Sequence, residues 1–327
     1  MSHKVFGPFV TVAELLLLVA VLVPSSQDSQ AATALTVTEK AVSFAQGLRP
    51  AQSGVTSDGW FWGWSSRPGD VTCVSPTGTV AHGPRIAAAS AVDVDRRLGV
   101  AALTEAGTGL QLISWTGEML RQFSLPDEMF RLAWIDAQTV AVTPRRIGYR
   151  VLLIDTTDGR VKAQLGPVPS VASKARGAVL LRSTFVRFSG AKKMLVTLDG
   201  FSGELSFLSL TSPAQTSWHL PNPNGETMSR WLQDYDMKAV ADGKPATSGA
   251  LCFASLSLDV DARAWVGVHC RDERLLLARV DSYSGIEERR IPSAGCCTIW
   301  GTVWGRYWMQ HSDPMQGPGG CHAAREL

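Results

Sequence analysis

Few residues in this 327-residue chain have the types and spacing to do chemistry. Two acidic pairs, Asp93/Asp95 and Asp259/Asp261, have the form of paired carboxylates for acid-base work or for calcium. They stand 166 residues apart in matching surroundings, SAVDVDRRLGVAA and LSLDVDARAWVGVHC. That recurrence assigns them to a repeated tight turn, in which an Asp bonds its own backbone. The one acidic-aromatic cluster that no repeat explains is Trp231 with Asp234, Tyr235 and Asp236. Its rings could stack on a sugar or another flat ligand while the carboxylates accept hydrogen bonds, or the aromatics could simply pin a helix to the body of the protein. Among the histidines, His82, His219 and His269 end strands, where an imidazole is more often exposed or backbone-bonded than catalytic. No Gly-rich phosphate loop, HExxH, GxSxG elbow, EF-hand loop or CxxCH site is present. We therefore assign no catalytic residue, and expect no cofactor and no metal.

The cysteines number six: Cys73, Cys252, Cys270, Cys296, Cys297 and Cys321. Cys252 and Cys270 lie symmetrically about Asp261, in the turn between two strands. Residues equidistant from a hairpin turn face each other, which puts this pair in reach of a disulfide unless a bulge shifts the register. Cys296 and Cys297 could bridge each other, Cys73 or Cys321, and the spacing does not choose among these. None of the usual zinc spacings occurs.

The elements that must position these residues are short β-strands. Four of them, read as Arg85–Val92, Leu98–Thr104, Leu110–Trp115 and Glu118–Leu125, are separated by turns at Asp93–Asp95, Glu105–Gly109 and Thr116–Gly117. The pattern recurs. From first turn to hairpin turn the distances in five successive units are 20, 24, 23, 23 and 26 residues, with hairpin turns at Thr77-Gly78, Thr116-Gly117, Asp158-Gly159, Ser212-Pro213 and Gly285. Four antiparallel strands in roughly 40 to 45 residues make one blade of a β-propeller. Continuous apolar runs such as Val151–Ile154 and Leu275–Ala278 suit strands buried on both faces. The tail SAGCCTIWGTVWGRYWMQ supplies two strands of a sixth blade, completed by TALTVTEKAVSFA from Thr33–Ala45, so that the chain closes its own ring. The reading is all-β: a single propeller, most simply of six four-stranded blades, over residues 33–311.

At the level of strand, turn and spacing, residues 49–310 resemble propeller repeats of the WD40-like and YVTN types, with quinoprotein-like propellers as relatives. The Trp-Asp dipeptide of a WD40 blade is replaced by Ser114-Trp115, Ile154-Asp155 and Val280-Asp281. The resemblance implies a propeller, with functions that range from protein scaffolding to catalysis.

Ahead of the repeats, residues 1–32 carry His3 and Lys4, an apolar run over Phe9–Val23 and the small-x-small tripeptide Ser29-Gln30-Ala31. This reads as a secretory signal, or, left uncleaved, as a membrane anchor through residues 5–23. Either places the propeller outside the cytoplasm, secreted, periplasmic or anchored facing outward. Net charge is +2 with Lys and Arg dispersed, which excludes a nucleic-acid stripe. Between the fourth and fifth units some 30 residues are inserted, 221–249, with a short helix expected over 227–239, and residues 312–327 read as a flexible tail. The insert is the expected specificity element of an exported binding or interaction module for a protein or carbohydrate ligand. The alternative is a propeller-type enzyme, a carbohydrate-active lyase or hydrolase or a quinoprotein-like oxidoreductase.

Overall fold

A computed structural model describes residues 41–42, 52–64, 69–75, 79–168, 183–200 and 203–220, and beyond these the strands between 253 and 326 with the turn residues beside them. The described strands belong to one compact unit, Thr33–Leu327; residues 1–32 lie outside the described set. The strands form six four-stranded antiparallel sheets. Five are continuous stretches of chain. The first is β2 (Gln52–Val55), β3 (Phe61–Trp64), β4 (Asp70–Val74) and β5 (Val80–Arg85), preceded in the chain by β1 (Ala41–Val42). The second is β6 (Ala89–Asp95), β7 (Gly99–Thr104), β8 (Gly109–Ile113) and β9 (Met119–Ser124), and the third is β10 (Met129–Asp136), β11 (Thr139–Pro144), β12 (Tyr149–Asp155) and β13 (Val161–Pro167). The fourth is β14 (Thr184–Ser189), β15 (Met194–Asp199), β16 (Glu204–Ser209) and β17 (Gln215–His219), and the fifth is β18 (Phe253–Leu258), β19 (Ala264–His269), β20 (Arg274–Asp281) and β21 (Gly285–Pro292). The remaining sheet joins β22 (Cys297–Val303), β23 (Arg306–His311) and β24 (His322–Glu326) to β1, in the order β22-β23-β24-β1. The first strands of the sheets, β2, β6, β10, β14, β18 and β22, touch in sequence and return to β2, a closed ring around a central channel. This is a β-propeller.

The apolar runs have a direct cause. Successive side chains of a strand point to opposite faces, and in each blade both faces meet another blade. Leu132, Trp134, Val140 and Val142 pack against Ala101, Leu103 and Leu110 of the second blade. Their neighbours Ala133, Ala141 and Val151 pack against Val186, Leu195 and Leu208 of the fourth. Among the described residues the most solvated strands are outermost ones, such as β9 and β17.

Of the hairpin turns, Thr77-Gly78 lies outside the described residues; two fall where expected, with Gly117 and Gly159 in the left-handed region at φ 91° and 77°. The first turn of the second blade does not. β6 runs through Asp93 and Val94 to Asp95, and the turn is Arg96–Leu98, three residues later than the sequence suggests. Asp95 Oδ1 caps it, accepting from the Arg97 and Leu98 N–H groups at 2.9 and 3.2 Å. That cap makes a turn without Gly, Pro or Asn. Gly99 follows at φ 101°, and a Cβ there would lie 2.2 Å from the Ile113 carbonyl oxygen. Because that neighbour is backbone within a paired strand, Gly99→Ala should cost about 3 kcal/mol, read as a lowered urea midpoint with unchanged slope.

One further expectation needs correction. Residues 322–326, read as part of a flexible tail, form a strand that pairs with both β23 and β1. A Gly-rich lead-in hid it, and its order comes from the strands on either side. The closing sheet thus takes three strands from this end of the chain and one from the other. The β18–β19 ladder keeps the expected register as far as Ser255↔Gly267, then slips at a bulge so that Phe253 faces Val268. Cys252, Cys270 and the insert 221–249 lie outside the described residues. Cys73 is a free thiol, sealed in the core and pushed up by burial to about 12.

Candidate functional site

Asp93, Trp134 and Arg187 hold the same place in three consecutive first strands, two residues before the end of each. The equivalence brings them together at the wall of the channel. Trp134 donates its backbone N–H to Asp93 Oδ2 at 2.7 Å, tying β10 to β6. Arg187 donates through Nη1 to its neighbour's carbonyl, Val186 O, at 3.2 Å, and through Nη2 to Ser53 O at 2.9 Å. Ser53 is on β2, which in the ring is not a neighbour of β14. The arginine therefore reaches across the channel and bars it.

On one side of this bar lies a cavity of about 460 Å³, bounded by the turns after the first strands: Thr56–Gly59, Asp95–Leu98 and Ser189–Ala191. Asp93 and Arg187 line its floor, and β10 and β18 contribute Trp134 and Ser257. We call it the cup. Three residues that line the cup carry a buried polar atom with no hydrogen-bond partner: Arg187 Nε, Trp134 Nε1 and Ser257 Oγ. A buried polar atom left unpaired is costly.

The electrostatics follow from enclosure. Burial raises Asp93 from the ordinary carboxylate range to about 6, against the pull of Arg187 and of the Trp134 and Val94 N–H groups. Burial lowers Arg187, and Asp93 opposes the shift. Arg131, on the same strand as Trp134, is brought down to about 10 by burial and by its positive neighbours Arg187 and Arg145. Its guanidinium lies 4.0 Å over the Phe130 ring and donates to Phe130 O at 2.9 Å, with no acidic partner among the described residues. Arg145 does have one, Glu128 at 2.7 Å. The middle of the channel thus holds two enclosed arginines and one carboxyl that resists ionisation. Among the described residues no group of three or more His, Cys, Asp or Glu could hold a metal.

Sequence reading brought none of this together. It took Asp93 and Asp95 for turn residues alike; Asp95 is one and Asp93 is not. His82 and His219 are exposed on outermost strands, away from the channel. Trp231, Asp234, Tyr235 and Asp236 lie outside the described residues. The available signal was a single charge inside an apolar strand, Val92-Asp93-Val94 and Val186-Arg187-Phe188, at equivalent repeat positions.

No protein-family model matches the chain, and no curated protein is similar to it in sequence. Solved structures are. A member of the DUF4221 family from Bacteroides vulgatus shares 8% identity at a TM-score of 0.57, with 89% of this chain and 96% of that one covered. A Bacteroides fragilis protein provisionally classed as exported shares 10% identity at a TM-score of 0.53, covering 86% and 85%. Streptogramin B lyase shares 12% identity at a TM-score of 0.49, covering 84% and 80%. At these identities the likeness is one of fold. The class is established: an all-β propeller of four-stranded blades.

Proposed function

We propose that the protein is an extracytoplasmic binding module whose ligand sits in the cup at the mouth of the channel. The observation that carries this reading is the cup itself, a cavity of about 460 Å³ with a charged floor built by residues from separate blades. Export is supported by the apolar stretch and small-x-small tripeptide of residues 5–31, and by the resemblance to a propeller classed as exported. No helix among the described residues is long and apolar enough to cross a membrane. The insert 221–249, with Trp231, Asp234, Tyr235 and Asp236, remains our proposed second contact for a protein or carbohydrate partner. It lies in sequence between β17 and β18.

One observation favours an enzyme: a carboxyl near 6 is poised for proton transfer. Among the described residues it stands alone: the other carboxylate lining the cup, Asp95, is engaged by the Arg97 and Leu98 N–H groups, and no described histidine lines the cavity. A binding site needs no partner base, so binding is the reading we adopt.

The test is ligand-observed NMR with the full chain and a small-molecule library of mixed charge. Ala191 sits exposed at the rim, so Ala191→Trp fills the cup from outside without touching the core. We expect saturable binding by the wild type that the variant abolishes, with the compound recovered unchanged. Equal binding by the variant, or chemical conversion of the compound, sinks the reading.

A further inference from the structure

We propose that the cup takes a small organic acid, its carboxylate directed to Arg187 and its apolar body against the walls. This deepens the reading above and rests on it. The floor supplies a cation with capacity to spare. A guanidinium has five N–H donors in a fixed fork, and Arg187 spends two on Val186 O and Ser53 O. Its Nε–H is unpartnered, as are the Trp134 indole N–H and the Ser257 hydroxyl of the same cup. The first two can only donate and the hydroxyl can do either, so an acceptor suits all three.

Charge points the same way. Among the described residues no carboxylate forms a direct ion pair with Arg187, although Asp93 acts on it at longer range; Arg131, outside the cup, adds a second enclosed positive charge nearby. Enclosed charges are tolerated when they are paired or hydrogen-bonded. An anion entering the cup supplies what the protein withholds. The walls set the rest of the ligand: Val55, Val94, Leu98, Ile135, Phe188 and Leu258 supply apolar surface, interrupted by the Thr56, Ser57 and Ser189 hydroxyls. A neutral sugar would leave the cation unmatched. Inorganic phosphate would find one guanidinium and the nearby Asp93 carboxyl, which opposes a dianion more strongly than a monoanion. A monocarboxylate with an aliphatic or aromatic body satisfies both floor and walls.

The probes are hexanoate, its neutral isostere hexanamide, and inorganic phosphate, titrated calorimetrically into the full-length protein. We expect hexanoate to bind at least about tenfold tighter than hexanamide, as a charge-assisted hydrogen bond requires, and phosphate to bind more weakly than either. Arg187→Met, which keeps the length of the side chain, should weaken hexanoate by about 10- to 100-fold and leave hexanamide unchanged. Should that variant not fold, Asp93→Asn decides: removing the neighbouring negative charge tightens hexanoate several-fold and does not move hexanamide. Equal affinity for hexanoate and hexanamide overturns the acid while leaving the cup as a binding site. Phosphate binding as tightly as hexanoate overturns the apolar body in favour of a bare oxyanion site. If neither organic probe binds, the inference is wrong, and the rim-filling experiment alone then judges the cup.

Discussion

Replacing Asp93 by asparagine is expected to make the protein more stable than the wild type at neutral pH and to confer no such advantage in acid. The carboxyl ionises near 3.8 when solvated and near 6 in the fold. A raised carboxyl favours the folded state while protonated, so its contribution is full below about pH 4 and is lost as pH rises through about 6. Two pKa units correspond to about 3 kcal/mol, and the opening of the cup to solvent trims that toward about 2 kcal/mol. Asparagine keeps the shape and the acceptor for the Trp134 N–H but never ionises. Plotted against pH, the stability difference between variant and wild type should be flat below about 4, grow in the variant's favour to about 6 and level off. Urea unfolding at a series of pH values measures it. Parallel curves throughout would mean that the carboxyl is solvated, and the enclosed floor of the cup would go with it.

Trp62→Ala should be the most damaging core substitution. Trp62 is wholly inaccessible in the core between the first and second blades, with Trp64, Val71, Val92 and Val100. Removing so large a buried side chain costs about 3–5 kcal/mol. The strand opposite shows how closely the indole is seated. Trp62 pairs with Gly54 on β2, and a Cβ at that glycine would lie 2.8 Å from the indole Nε1. Gly54→Ala alone should therefore destabilise, whereas in the Trp62→Ala background it should cost little. That non-additivity, measured by denaturation of the two single variants and the double, is the signature of direct contact. Additive effects would place the indole elsewhere.

The propeller was legible because its signals are local and repeated. Gly117 and Gly159 punctuate at fixed distances, and runs such as Val140-Ala141-Val142 carry no polar face because successive residues enter different inter-blade cores. The floor of the cup was not legible, for a reason specific to Asp93. Asp-Val-Asp is what a turn looks like in sequence, and the true turn, Arg96–Leu98, carries no turn-forming composition, since Asp95 makes it from the strand end. Three residues of misplacement turned a channel-facing carboxyl into a loop residue. Arg187 escaped notice because its partner is the Ser53 carbonyl, 134 positions away, and a backbone acceptor leaves no trace in composition. The Cys252/Cys270 argument counted residues outward from the turn, and the bulge at Phe253–Ser255 is invisible to such counting.

The pairing of Ala41 with Arg325 sets an order of assembly. The five continuous blades can each form as their own chain emerges, but the sheet that holds the ring shut waits for residues 284 positions apart. At roughly 5–20 residues per second, synthesis leaves about 15 to 60 s between the emergence of Ala41 and that of Arg325, during which the growing row of blades has an open edge. Closure rests on the few bonds of β1 together with the blade contacts on either side. Closure is thus a late, all-or-nothing event, and the young chain spends its most adhesive moments as an arc rather than a ring.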